Sequence, residues 1–263
     1  MTPQEGTNPY PLIETCLDFF EHYGGIIITG AFFLLMFYIF YWIIIIAPRR
    51  VRQVYTTLTR RGYSPLNPDS EEIENIVHAL APVYPRRPRK DAEVPQWKCH
   101  FAVKYHTVNQ AARYIVHVSR SQIDQPGVRY NSTLRKTDLI LEKRKLKFTE
   151  PVHIFPVKNR GDVLWEWRYK LKKVSQGPDQ EFLDQFMIYT KSGKISFFPD
   201  PLREALMGVY EVITDRSHYC FQHGIHFKFQ KDGWGICPTH EVYKVKDINM
   251  LIGVAETISL ALS

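Results

Sequence analysis

The chain has 263 residues, a formal net charge of +7 and four cysteines. It contains no internal repeat, heptad array or low-complexity tract, which excludes a solenoid and a long coiled coil. About 215 residues follow its one long apolar segment, enough for one substantial hydrophobic core or two small ones.

That apolar segment is the most informative feature of the sequence. Residues 26–47 carry no charged side chain. As a helix they would be about 33 Å long, at about 1.5 Å per residue, which is enough to cross a hydrocarbon core of roughly 30 Å. A soluble helix of this length nearly always keeps a polar face, which is missing here. The sequence therefore predicts a transmembrane helix over residues 25–47.

Charge is distributed unequally on the two sides of this span. The preceding residues include four acidic side chains and no lysine or arginine, whereas Arg49, Arg50 and Arg52 follow the span directly. The positive-inside rule then predicts a single-pass membrane protein with its N-terminus outside and its C-terminal domain in the cytoplasm. A cleaved signal peptide would have a basic region before its apolar core, so we expect a permanent anchor.

The segments that flank the span have helical patterns. Residues 1–24 are predicted as an acidic extramembrane arm with an interfacial helix, and Gly24 and Gly25 as a bend before the span. Residues 48–95 are predicted as juxtamembrane helices and a basic, proline-rich linker. The first of these helices ends near Gly62, and the second begins near Ser70.

From about residue 96 the apolar side chains recur at every second position. This alternation is typical of antiparallel strands that have one face exposed to solvent. Cys99, Phe101, Val103 and Tyr105 are expected on one face of the first strand. Asp200 and Asp247 are expected to cap two long helices. Further strands are predicted at 114–118 and 163–172, and hairpins at 186–198 and 225–236.

These patterns together predict the fold class α+β. One N-terminal transmembrane helix is followed by a mostly antiparallel β-sheet domain, over residues 96–263, with helices packed on one face. Trp167 is expected on the buried face of the central strand.

One group of potential metal ligands lies on the two sides of the second hairpin. Cys220 and His223 form one Cys-x-x-His pair, and Cys237 and His240 form another. Zinc prefers four nitrogen or sulfur ligands in tetrahedral geometry, so these residues are a candidate zinc site. The alternative is a plain hairpin with ordinary buried thiols. In the usual zinc finger, a pair of cysteines is followed by a pair of histidines. This chain has two mixed Cys/His pairs instead, so we expect no cofactor.

The basic residues suggest a membrane surface as a partner. Anionic headgroups attract lysine and arginine close to the bilayer, so we expect lipid contacts at five arginines: Arg49, Arg50, Arg52, Arg86 and Arg87. Nucleic-acid binding would need aromatics interleaved with a basic stripe. Trp165 and Trp167 alternate with the charges of their strand and are expected in the core, so nucleic acid is not an expected partner.

No enzyme motif is present in the sequence. It lacks a phosphate-binding loop ending in Lys-Ser/Thr, a Gly-x-Gly-x-x-Gly unit, a Gly-x-Ser-x-Gly elbow and a His-Glu-x-x-His helix. We therefore expect a non-catalytic protein.

The leading hypothesis is a single-span accessory, scaffold or assembly subunit of a larger integral membrane protein complex. The span is rich in aromatic residues, and contacts with neighbouring helices are expected at Phe33, Phe37, Phe40 and Tyr41. One alternative is a membrane-tethered enzyme or metal-binding domain built on the hairpin from Cys220 to His240. Another is a sensor or docking domain for an anionic membrane surface.

Overall fold

The computed structural model describes residues 11–82, 97–107, 111–120, 135–158, 171–175, 179–195, 197–215, 217, 224–238, 242 and 244–263. The chain divides into two compact units, Met1–Arg52 and Gln53–Ser263. Each unit is described by itself.

The first unit is helical. Helix α1 (Pro11–Tyr41) continues through a π-helical stretch (Trp42–Ile46) into helix α2 (Ala47–Arg60), which extends into the second unit. Helix α1 passes through Gly24 and Gly25 without a break, although we expected a bend there. Glycine costs a helix interior only about 0.5–1 kcal/mol, which a long helix tolerates. Thr29 Oγ1 also donates a side-chain hydrogen bond to the Gly25 carbonyl oxygen at 2.7 Å.

Within the described part of the chain, one helix is long and apolar enough to cross a membrane. It covers His22–Ile46 with a mean hydropathy of 2.2, and none of its most apolar window is buried inside the protein. The predicted segment, residues 25–47, agrees closely with it.

The second unit is built on a sheet in which all pairs of neighbouring strands are antiparallel. Among the described residues it has nine strands, in the order β1-β2-β3-β4-β9-β8-β5-β7-β6. Their bounds are β1 Ser64–Leu66, β2 Trp97–His106, β3 Ala112–Arg120, β4 Arg135–Lys143, β5 Val152–Pro156, β6 Lys172–Lys173, β7 Phe186–Thr190, β8 Ile225–Gln230 and β9 Gly233–Pro238.

Helices cover both faces of this sheet. The main core lies between one face and two long helices, α5 (Asp200–Thr214) and α6 (Val245–Ala261). Helix α3 (Glu71–Leu80) packs a second core against the opposite face, and the short helix α4 (Gln180–Gln185) precedes β7. The predicted α+β class is confirmed, with the addition that α3 lies on the other face from α5 and α6. The buried side chains of α3 are Ile73, Ile76, Val77 and Leu80.

A β-bulge changes the predicted face of Cys99. The register between β2 and β3 shifts between Cys99 and Phe101. Phe101 packs on the main core, whereas Cys99 packs on the second core. The expectation that both residues share one face is therefore wrong, because the bulge inserts an extra residue, His100, and reverses the alternation.

The hairpin predicted at 186–198 is only half present. Its first half is β7, but Ile195, Phe197 and Phe198 are not in a strand. Strand β7 instead pairs with β5 on one side and β6 on the other. Both hydrogen-bonding edges of β7 are thus occupied, which leaves no edge for the returning segment.

The predicted helix starts were accurate to within about two residues. The Ser70 Oγ accepts a hydrogen bond from the Ile73 N–H and caps α3 as expected. Helix α5 includes Asp200 and is capped by Pro199, and α6 begins two residues before Asp247. The predicted strand at 163–172 lies outside the described residues except for its end, and so does Trp167.

Candidate functional site

The predicted helix-contact residues share one face of α1. Phe33, Phe37, Phe40 and Tyr41 follow the spacing i, i+4, i+7 and i+8, which places their Cβ atoms within about 100° of the helix surface. All four side chains are exposed, and Phe37 is the most exposed at 71%. We call these four residues the aromatic stripe. Phe32 lies about 100° away from Phe33 and is also exposed.

The basic residues predicted to contact lipid lie partly in the described chain. Arg49 and Arg52 have exposed side chains on α2. The side chain of Arg50 and all of Arg86 and Arg87 lie outside the described residues. Lipid contact by these five arginines stays a prediction.

Of the four predicted zinc ligands, the structure describes Cys237; Cys220, His223 and His240 lie outside the described residues. Cys237 is buried in β9, where its sulfur lies 3.6 Å from Thr137 Oγ1 and 3.4 Å from the Pro238 carbonyl oxygen. Burial raises the pKa of the Cys237 thiol to about 12. Zinc binds the thiolate, so Cys237 would release its proton on binding the metal. The complete site stays a prediction.

A buried histidine pair lies beside Cys237, with one histidine on β8 and the other on β5. His226 is the cross-strand neighbour of Cys237, yet its Nε2 lies 3.0 Å from Nδ1 of His153 on β5. Phe155 stacks on the His226 ring at a centroid distance of 4.1 Å. Burial lowers the pKa of His153 and of His226 well below the ordinary value, and the nearby Lys228 contributes in the same direction. Both rings are therefore neutral at pH 7.

The lowered pKa values of His153 and His226 predict that acid destabilises the protein. Their folded pKa values lie below the unfolded value of about 6.5, so the unfolded state binds more protons below that pH. We expect the free energy of unfolding to be level just above pH 7 and to fall steadily as the pH drops below about 6.5. Denaturant unfolding of the full chain in detergent, at several pH values, measures this.

A matched pair of variants assigns this pH dependence. Replacing both His153 and His226 with Gln should flatten the decline below pH 6.5, whereas the exposed His78→Gln should leave it unchanged. An unaltered slope in the double variant would contradict the assignment to the histidine pair.

Lys228 connects the sheet to the end of α3. Its Nζ donates to the carbonyl oxygens of Ala79 at 2.7 Å and Ala81 at 3.4 Å. The C-terminal carbonyls of a helix carry partial negative charge, which favours an ammonium group there. Burial lowers the pKa of Lys228 to about 8, so it remains largely protonated at pH 7. Lys228 therefore holds the C-terminal end of α3 in place.

Among the described residues, an extensive polar network is centred on Glu142 of β4. Arg113 of β3 donates to Glu142 Oε2 through Nε at 3.0 Å and Nη2 at 2.9 Å. Glu142 Oε1 accepts hydrogen bonds from Ser259 Oγ at 2.9 Å and Trp234 Nε1 at 3.3 Å. Glu142 has no exposed surface, and Arg113 is 2% exposed. The network ties α6 to three strands of the sheet.

A second polar network lies farther along the same two strands. His117 Nδ1 lies 2.9 Å from Asp138 Oδ1, and Asp138 Oδ2 accepts from the Val242 N–H at 2.6 Å. His100, on the bulge of β2, brings its Nε2 to 2.7 Å from Ser119 Oγ. This distance suits a nucleophile and its base, but Ser119 has no exposed surface. A substrate could not reach the hydroxyl, so we assign this contact to structure.

The sequence contained a pattern that would have predicted both networks. Arg113 and His117 are four residues apart on β3, and Asp138 and Glu142 are four residues apart on β4. When two strands run antiparallel, residues four apart on one strand face residues four apart on the other. The register indeed pairs Arg113 with Glu142 and His117 with Asp138. Two basic and two acidic positions of equal spacing on consecutive strands therefore indicate cross-strand pairing. We missed the pattern because no strand was predicted over residues 135–143.

Comparison with known proteins adds little to this picture. No protein-family profile matches the chain, and no curated protein matches it in sequence. Among solved structures, the crystal structure of the mycobacterial trehalose monomycolate transport factor A, TtfA, is similar with a TM-score of 0.43 and 11% sequence identity. That match covers 81% of this chain and 94% of the other. A likeness this distant carries no functional assignment.

Proposed function

We propose that this protein is a single-span, membrane-anchored accessory, scaffold or assembly subunit of a larger integral membrane protein complex, and that it is not an enzyme. The observation that supports this most directly is the apolar helix His22–Ile46, which is not buried by its own chain. An apolar surface of this length is stable only when lipid or other membrane helices cover it.

The aromatic stripe supports a protein neighbour along part of this surface. Without a hydrophobic driving force between helices in lipid, association depends on close van der Waals packing and polar contacts. Phe33, Phe37, Phe40 and Tyr41 present a broad aromatic surface on one side of the helix, which offers such packing. The polar networks of the soluble unit hold its own elements together, which agrees with a structural role.

The complex can be tested by extracting the full chain from native membranes with a gentle detergent. We expect it to migrate above its monomer mass together with at least one integral membrane protein. Phe37→Leu, on the aromatic stripe, should reduce the amount of this partner several-fold. The substitution keeps the helix apolar, so membrane insertion should not change.

The matched control is Phe32→Leu, which makes the same chemical change outside the stripe. It should leave the recovery of the partner unchanged. Migration of the unmodified chain at monomer mass, with no protein accompanying it, would contradict the proposal.

We also propose that the N-terminus faces outward and the C-terminal unit lies in the cytoplasm. Of the native cysteines, Cys99 and Cys237 are poor reporters of this orientation. Burial raises the pKa of both Cys99 and Cys237 to about 12, so neither thiol reacts readily on either side of the membrane. A cysteine at the exposed Ser175 avoids this problem.

In a background with Cys16→Ser and Cys220→Ser, Ser175→Cys should react with a membrane-impermeant maleimide only after the cells are permeabilised. The reason is the cluster of Arg49, Arg50 and Arg52 after the span, since each charge costs about 2.5–3.5 kcal/mol at the bilayer centre on the insertion scale. Labelling of the added thiol in sealed cells would reverse the proposed orientation.

A further inference from the structure

A tight turn after β7 is hydrogen-bonded both within itself and to Glu150. Gly193 has a φ of +77°, and its N–H donates to Thr190 Oγ1 at 2.9 Å. Thr190 Oγ1 lies 3.1 Å from the Lys194 carbonyl oxygen and donates to it. The Ser192 N–H donates to Glu150 Oε2 at 3.1 Å, which fixes the turn to the segment before β5. The side chains of the turn therefore project from a hydrogen-bonded base.

Lysines are concentrated around this turn. Lys191 and Lys194 are exposed on the turn itself, and Lys172 is exposed on the adjacent strand β6. Lys172 is the cross-strand neighbour of Thr190. It also lies close to Gly193, because a Cβ added to Gly193 would be 3.0 Å from the Lys172 Cβ. The nearby carboxylate of Glu150 is engaged by the Ser192 N–H and hydroxyl. The surface around the turn therefore has an excess of positive charge.

An exposed aromatic side chain adjoins these lysines. Phe197 is 45% exposed, and it lines a shallow depression together with Lys194 and Ile195. Lysines with long apolar stems beside an aromatic ring are typical of surfaces that rest at a membrane interface. The lysines meet the headgroups, and the ring enters the boundary with the acyl chains.

We propose that this surface, consisting of Lys172, Lys191, Lys194 and Phe197, docks on the anionic lipid headgroups of the membrane that anchors the chain. We call it the basic turn. The proposal rests on the membrane anchorage within the proposed function and is independent of the partner complex. Because the span keeps the soluble unit close to the bilayer, its effective concentration at the headgroups is high, and a few weak contacts suffice for binding.

Hydrogen exchange of the full chain in lipid nanodiscs tests the docking. One sample contains phosphatidylcholine alone, and the other also contains phosphatidylglycerol. We expect the backbone amides of residues 190–195 to exchange several-fold more slowly in the anionic discs. The difference should disappear at high salt, because exposed charges are screened over a Debye length of about 3 Å at 1 M.

Two double variants with the same charge change identify the surface. Lys191→Glu with Lys194→Glu should abolish the lipid-dependent protection. Lys244→Glu with Lys246→Glu changes two other exposed lysines, at the start of α6, and should retain it. Exchange of the β8 and β9 amides, measured in the same samples, verifies that each variant is folded.

Equal exchange of residues 190–195 in the two kinds of disc would overturn the proposal. Lipid-dependent protection that persists in Lys191→Glu with Lys194→Glu would overturn it as well. Protection by an added RNA oligonucleotide in neutral discs, greater than that in anionic discs, would assign the surface to nucleic acid instead. None of these results depends on the recovery of a partner protein, so failure of the docking is distinguishable from failure of the proposed complex.

Discussion

Replacing Glu142 with alanine is expected to lower the free energy of unfolding by about 3–5 kcal/mol, because it leaves a buried guanidinium without its partner. Arg113 makes two hydrogen bonds to this carboxylate in a setting that excludes water. Ser259 and Trp234 lose their acceptor in the same substitution. Denaturant unfolding of the full chain in detergent, followed by tryptophan fluorescence, measures the change.

Glu72 provides a matched control, since it also pairs with a basic side chain across two elements. Its Oε1 accepts from Lys104 Nζ at 2.8 Å and from Tyr114 at 2.7 Å, but its side chain is 45% exposed. Glu72→Ala should therefore cost less than about 1 kcal/mol. Equal losses in the two variants would mean that Glu142 is accessible to water, contrary to the structure.

The second large effect is expected at Gly235 on β9. A Cβ there would lie 2.5 Å from the Leu80 carbonyl oxygen and 2.9 Å from Leu141 Cδ2. The first of these atoms belongs to the backbone at the end of α3, so the strain cannot be relieved by a side-chain rotation. Gly235→Ala should destabilise the unit by roughly 3 kcal/mol, at the upper end of ordinary overpacking. The same denaturant titration measures it.

Gly253, on an exposed position of α6, is the control for this substitution. A Cβ added there has no neighbour within 4 Å. Gly253→Ala should stabilise the protein by about 0.5–1 kcal/mol, because alanine is favoured over glycine inside a helix. No loss of stability in Gly235→Ala would show that α3 does not pack on β9 as described, and a loss in Gly253→Ala would show that Gly253 is not at an open helix position.

Features that depend on neighbouring residues in the chain were predictable from the sequence. The apolar helix His22–Ile46 was evident because its whole length is uncharged. Helix α3 and its four buried residues followed from the helical period and the Ser70 cap. The hairpin of β8 and β9 followed from two alternating segments around Asp232 and Gly233. Each of these elements is determined by local periodicity and turn chemistry.

The candidate functional surfaces were only partly predictable. The aromatic stripe and the basic residues after the span were identified from the sequence, because an exposed surface on one helix follows from spacing alone. The basic turn was not, since it combines Lys172 with Lys191 and Lys194 across two paired strands. The expected partner strand for β7 at residues 195–198 was also wrong.

The sequence by itself determined that this chain has one helix suited to a membrane and an antiparallel α+β unit. The tertiary structure decided which strands became neighbours, which face α3 covers and which buried charges meet. The physical reason is the range of the interactions. Periodicity and capping act within a few residues, whereas Arg113 with Glu142, His153 with His226 and Lys228 with the end of α3 are separated by 29, 73 and 149 positions in the chain.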